Sequence, residues 1–232
     1  MPTLVPGAAL AVAAAAALGL FGLGGGDPPP GFAARFATGP PAYPIPPAGS
    51  YVLPPARPAP DGELLDEAGR SHRLKDLLGG QVTLVSFVYL LCGDVNGCPL
   101  ALSTLFDIWH GTGEVPQLKG KVQLMTISFD PTRDTPEALA SFAYPIRHDG
   151  ARARKIDWRI LTARDAGTIA PILSGFGQVV DRSGDPDRLN HLLRMFLVDA
   201  EGRVRNIYGL GMIDPQLIMT DVETLLAEAR AR

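Results

Sequence analysis

A chain of 232 residues has room for one ordinary domain with appendages, or at most two small domains. Its formal net charge of -3 and the absence of any long basic run argue against a nucleic-acid partner. Hydrophobic residues make up 46% of the chain and charged residues 19%, ordinary for a globular core plus some excess apolar sequence.

That excess lies at the N-terminus. Residues 4–23 carry no charge and are mostly Ala, Leu, Val and Gly. About 20 such residues cross a bilayer as a helix. Residues 1–26 therefore read as an apolar leader, either a secretory signal or an uncleaved membrane anchor. A low-complexity leader is the alternative, since no basic stretch precedes the apolar run. Export with retention at the periplasmic side of the membrane is the expectation. The leader holds no cysteine, which excludes lipid attachment there through a thiol.

Residues 24–60 contain a Gly-Gly-Gly run and over half of the chain's 22 prolines. Pro28-Pro29-Pro30, Pro40-Pro41 and Pro46-Pro47 lack backbone donors and favour extended polyproline conformations. The stretch 27–60 thus reads as a semi-rigid linker holding a domain, 61–232, away from the N-terminal anchor.

From Asp61 the pattern becomes globular. Residues 62–66 and 70–74 read as a small hairpin about Glu67-Ala68-Gly69, and residues 75–80 as one helical turn closed by glycines. Residues 82–91 form a continuous β-branched and aromatic run, the mark of a strand buried on both faces. Leu102, Leu105, Phe106 and Trp109 recur at helical spacing after Pro99, and residues 122–129 are a second buried strand. Asp134-Thr135-Pro136-Glu137 opens a helix with a cap, a proline in the first turn and an acid against the dipole. Residues 168–176 make a further short helix. A hairpin follows over 195–208, and a closing helix from about Pro215 puts Ile218, Val222 and Leu225 on one face. Strands alternating with helices, then an antiparallel hairpin, predict one α/β domain with a central mixed β-sheet flanked by helices.

The chain's two cysteines stand at the strand-to-helix turn of this pattern. Cys92 ends the first buried strand, and Cys98 sits just before Pro99, where the helix begins. The positive end of a helix favours a thiolate, so Cys98 is expected to ionise readily. Asn96-Gly97 is a turn former that can bring the sulfurs together. The pair alone fits a structural disulfide, a redox-active dithiol or two metal ligands.

The surroundings of the cysteines resemble the Sco/SenC family of copper-binding, thioredoxin-fold assembly factors over about residues 64–226. The segments that carry the resemblance are Val85-Ser86-Phe87-Val88-Tyr89 leading to Cys92, then Cys98-Pro99-Leu100, and Asp130-Pro131-Thr132-Arg133-Asp134-Thr135-Pro136. Trp158-Arg159-Ile160-Leu161-Thr162 and His191, six residues before Leu197, are also similar. The resemblance implies a thioredoxin-like fold and a copper ion held by Cys92, Cys98 and His191. It further implies a protein client, the copper-containing subunit of a haem-copper (cytochrome c) oxidase. The chain departs from the family's Cys-Pro-Asp-Val-Cys-Pro pattern: Gly93 replaces the first proline, and Asn96-Gly97 lengthens the loop between the cysteines by two residues.

Cu(I) is soft and prefers thiolates, while imidazole suits both copper oxidation states. The competing function is thiol-disulfide oxidoreduction on a partner protein, with Cys92 and Cys98 as the catalytic pair. The C-x-x-C spacing that lowers a catalytic thiol's pKa is absent. His72, His110 and His148 fall at other turns and helix ends, and Asp94 reads as a solvated turn residue. Asp130, Arg133 and Asp134 are expected to fix the loop beside the site without touching metal. Met195 and Met212 sit in apolar stretches and read as core.

Overall fold

The computed structural model describes residues 26–181 and 189–231. After the edge strand β1 (Arg57–Pro58), Gly69 at φ 72° lets β2 (Glu63–Asp66) fold back on β3 (Ser71–Arg73). The helical turn α1 (Leu74–Leu78) leads into β4 (Val82–Val88), in which every residue is buried. Helix α2 (Cys98–Gly111) connects to β5 (Val122–Ser128), also buried throughout, and α3 (Pro136–Arg147) connects to β6 (Asp157–Thr162). Helix α4 (Ala166–Phe176) is followed by the short β7 (Val180–Asp181) and β8 (Asn190–His191). The hairpin β9 (Arg194–Val198) and β10 (Arg203–Gly209) precedes α5 (Pro215–Arg230).

Eight of these strands form one mixed sheet in the order β1-β10-β9-β4-β5-β6-β2-β3. The central β4, β5 and β6 run parallel, and the flanking pairings are antiparallel. This is the thioredoxin-like arrangement expected, with β6 added as a strand that the hydrophobic pattern did not mark. Because β4 and β5 are parallel and in register from Val82↔Val122 to Val88↔Ser128, both end at the same edge of the sheet. The start of β9 and the end of β10 meet that edge too, through Ser86↔Met195 and Gly209↔Arg194. Phe87, Phe176 and Phe196 pack with ring centroids 5.0–5.8 Å apart, joining the sheet to α4. Thr135, Asp165 and Asp214 cap α3, α4 and α5 by accepting backbone N–H bonds at 3.4, 2.7 and 2.8 Å.

Part of the stretch 27–60 packs on the domain. Phe32, Ala33 and Phe36 lie on a 3₁₀ turn and are buried, as is Leu53. The segment lies against α5, whose acids satisfy its backbone: Glu223 accepts the N–H groups of Gly31 and Ala33, the latter at 3.1 Å. Thr224 accepts Gly49 N–H at 2.9 Å, and Tyr51 donates its hydroxyl to Asp221. Asp221 also binds the Tyr208 hydroxyl at 2.6 Å and the Asn206 amide at 2.7 Å, which ties the segment to β10. The ring of Phe36 sits so close to Gly111 that a Cβ there would lie 2.8 Å from it. The segment supplies aromatic side chains and free N–H groups, and α5 packs against it and accepts from those groups. The apolar leader, at 4–23, lies outside the described residues, among which no helix is long and apolar enough to cross a membrane.

Removing the Glu223 carboxylate tests this packing. Glu223→Ala loses two hydrogen bonds to a charged group and is expected to destabilise the protein by about 2–3 kcal/mol in urea denaturation. Cleavage by trypsin after the exposed Arg35 should quicken in parallel. An unchanged cleavage rate at Arg35 would show that the segment is held by other means.

Candidate metal centre

The site is built where β4 ends. Beyond Val88 the chain turns, with Cys92 N–H donating to the Tyr89 carbonyl at 3.3 Å, and this places Cys92 half-buried at the sheet edge. The loop between the cysteines then folds on Asp94. Its carboxylate accepts Asn96 N–H at 3.1 Å, and its carbonyl accepts Gly97 N–H at 2.8 Å. A Cβ on Gly97 would meet that carbonyl at 3.2 Å and the carboxylate at 3.3 Å, so the turn favours glycine there. Asn96 and Gly97 thereby lie in a local turn, and Cys98 starts α2 with Pro99 in the first helical turn. Asp94 is a turn residue, as expected.

Cys98 is 1% exposed, and its Sγ takes the Tyr89 N–H at 3.5 Å. On its other side stands His191 Nε2, also at 3.5 Å. His191 Nδ1 lies 3.1 Å from the Leu189 carbonyl, which can only accept, so the ring proton sits on Nδ1 and the Nε2 lone pair faces the sulfur. The imidazole is packed against Phe129 and Tyr89 at centroid distances of 4.8 and 5.9 Å. One ligand atom from each of Cys92, Cys98 and His191 lies within 4.8 Å of the others, and both cysteines are free thiols. Two sulfurs and one unprotonated nitrogen, held at the rim of the sheet, form a donor set for a soft metal ion.

The expectation of a readily ionised Cys98 is overturned. Burial pushes its thiol well above the ordinary range, and the neighbouring Cys92 adds to this, against a smaller opposite effect of the backbone N–H groups. Partial charges at a helix end are weak beside the loss of water around a buried sulfur. Cys98 therefore keeps its proton until something replaces it, and metal uptake would release that proton.

The motif after β5 holds the site from below. Asp134, 2% exposed, accepts the Leu90 N–H at 3.0 Å and the Ser128 hydroxyl at 2.5 Å. Burial raises its carboxyl, and those two donors work against the rise. Arg133 pairs with Asp130 at 2.5 Å, and Asp130 N–H donates to Ser128 Oγ at 3.0 Å. These residues brace the loop without joining the donor set, as the sequence predicted.

The other histidines have unrelated partners: His72 binds Asp66 at 3.0 Å, His110 meets Lys155 at 3.0 Å, and His148 stacks on Tyr144 at 3.9 Å. Met195 is core, but Met212 is 46% exposed in the turn after β10, so its reading as core is corrected. Met212 lies in the connection between β10 and α5, where Leu210 is exposed as well. Tyr89 was not singled out as a site residue because it lies inside the apolar run 82–91, just past the end of β4; its place three residues before Cys92 was the available signal.

Fold and cluster together define a thioredoxin-like domain that carries a two-cysteine, one-histidine donor set at the strand-to-helix turn. The chain belongs to the SCO1/SenC family, whose profile matches residues 55–227. Among solved structures it is similar to a SCO1/SenC family lipoprotein from Bacillus anthracis str. Ames, with 23% identity, 76% of this chain and 99% of that one covered, and a TM-score of 0.62. It is also similar to yeast Sco1 with copper bound, at 18% identity, 76% and 90% coverage and a TM-score of 0.56. Arabidopsis thaliana ScoI with copper bound gives 18% identity, 73% and 98% coverage and a TM-score of 0.55. At these identities the likenesses establish the fold. No curated protein matches the chain significantly.

Asp134→Ala should leave the buried Leu90 N–H and Ser128 hydroxyl without an acceptor and lower stability by about 2–3 kcal/mol. Asp134→Asn keeps one acceptor oxygen and should cost less. Amide hydrogen exchange at Leu90 reads the contact directly. Unaltered exchange there in Asp134→Ala would exclude this bracing role.

Proposed function

We propose that this chain is a copper-binding assembly factor that carries copper to the copper-containing subunit of a haem-copper (cytochrome c) oxidase. The observation that carries this reading is the convergence of Cys92, Cys98 and His191, whose ligand atoms lie within 4.8 Å of one another. Membership in the SCO1/SenC family supports it, as do relatives of the same fold solved with copper bound.

The residues fit such a cargo. Thiolates suit Cu(I), and the imidazole suits either oxidation state. The Leu189 carbonyl fixes the His191 tautomer, so the lone pair already points at the cysteines. Cys98 and His191 are held from behind by Tyr89 and Phe129, while Cys92 is more open than Cys98. A donor set with one open side lets an incoming protein ligand displace Cys92 first, which is what transfer between proteins requires. The apolar leader would hold the domain at the periplasmic face of the membrane, where it meets such a client.

Titrating Cu(I) into reduced protein tests the proposal. One tight site per chain is expected, abolished by Cys92→Ser or Cys98→Ser. His191→Ala should weaken it by at least the ~10–100-fold typical of losing a group that merely orients a ligand. Unchanged binding in the double cysteine variant would sink the proposal. The thiols also keep a second reading in play, because both are free and the more exposed Cys92 stands before the buried Cys98. Feeble copper binding combined with rapid reduction of a model protein disulfide would favour thiol-disulfide oxidoreduction.

A further inference from the structure

The edge of the sheet from which β5 and β6 start carries an excess of positive charge. Lys119 lies just before β5, and its Nζ binds the Ala153 carbonyl at 3.0 Å, which seats it on the turn Arg152–Arg154 that precedes β6. The two strands are parallel and paired from Gln123↔Asp157, so these cations share one edge. Arg230, the last residue of α5, lines a cavity there with Asp27, Gly120 and Lys121. Arg152, Arg154 and Arg230 are exposed, and Lys119 is half-buried. The nearby Lys121 and Lys155 have acids of their own, Asp27 at 2.5 Å and Asp149 at 2.9 Å. Among the described residues no acid pairs with Lys119, Arg152, Arg154 or Arg230, although the exposed Glu114 and Asp157 offset part of their charge. The chain as a whole has a net charge of -3, so this edge runs against the balance of the molecule.

The described chain also begins at this edge, where Lys121 Nζ binds the Gly26 carbonyl at 3.1 Å. Leu23, the last residue of the charge-free run 4–23, precedes Gly26 by three residues, a reach of at most about 11 Å. A bilayer entered by that run would lie close to Lys121 and its neighbours. Attraction between such cations and an anionic surface acts over about one Debye length, ~8 Å at physiological ionic strength.

We propose that this edge docks on the headgroups of anionic phospholipids, so that Lys119, Arg152, Arg154 and Arg230 seat the domain on a membrane with Cys92, Cys98 and His191 at the far edge. The inference rests on the reading of residues 4–23 as a membrane anchor. Two observations select a lipid surface as the partner. The chain preceding the described residues is apolar and joins the domain at this edge, and the cations are those left over once the local acids are paired. Guanidinium and ammonium groups bind headgroup phosphates through charge-assisted hydrogen bonds.

Phenylglyoxal modifies accessible guanidinium groups, and mass spectrometry reads each arginine separately. The full chain is placed in nanodiscs of phosphatidylcholine, either alone or with a minority of phosphatidylglycerol. In the anionic discs Arg152 and Arg154 are expected to react at least about fivefold more slowly than in the neutral ones, the scale of one cation's attraction. Arg70, exposed in the hairpin beside the end of β6, should react equally in both. The protection should vanish at about 1 M NaCl, where the Debye length falls to ~3 Å. Lys119→Gln combined with Arg230→Gln should largely abolish it. Equal rates in the two lipids, or protection that survives the salt, would overturn the proposal. So would equal protection of Arg152 and Arg154 by inorganic phosphate in neutral discs, which would mark a site for a free anion. A chain that does not enter neutral discs removes the anchor reading itself, whereas incorporation with equal rates defeats only the docking of this edge.

Discussion

A single buried carboxylate decides where the first central strand stops. Val88 and Ser128 are paired as the last residues of β4 and β5, and Phe129 N–H closes the ladder on the Val88 carbonyl at 3.0 Å. Two residues further on, Leu90 N–H would continue along the sheet, but Asp134 takes it instead. The same oxygen binds Ser128, so the turn after β4 and the loop after β5 share one acceptor. Charge-assisted bonds in a site closed to water are strong, and an unpaired carboxylate there is costly, so the arrangement is all or nothing. The position of Cys92 follows from it, because Cys92 is reached two residues beyond Leu90.

Much of this was legible along the chain because it is written locally. An uninterrupted apolar run reports a strand buried on both faces, and Thr135, Pro136 and Glu137 report a helix start. Cys92, Cys98 and the Asn96-Gly97 turn lie within seven consecutive positions, so their proximity follows from a strand, a turn and a helix in order. His191 is different. It lies 93 positions from Cys98, and only the resemblance of the surrounding segments joined the two. Strand β6 escaped the hydrophobic pattern because Asp157 and Arg159 interrupt it; Arg159 is half-buried and satisfied by the Gln123 side chain at 2.9 Å, a partner on the adjacent strand.

The expectation for the Cys98 thiol failed for reasons of environment. The helix-end argument for Cys98 weighed a partial charge and omitted burial, which only the packed structure supplies. The proline-rich stretch was read from a backbone preference for extended conformations, whereas Phe32–Phe36 within it form a 3₁₀ turn. What composition could not show was the set of acceptors on α5, from 170 to 192 positions away, on which part of this segment packs.

The same packing gives the domain a direction. Lys121, one residue before β5, binds the Gly26 carbonyl at 3.1 Å and the Asp27 carboxylate at 2.5 Å. The described chain therefore starts at the edge of the sheet where β5 begins, while the donor set lies at the edge where β4 and β5 end. A parallel strand of seven residues separates the two by roughly 20 Å. Any attachment made through the chain before Gly26 would hold the domain from the edge remote from Cys92, Cys98 and His191. The contacts of Gly31, Ala33, Gly49 and Tyr51 with α5 fix the path of this segment over the domain by packing.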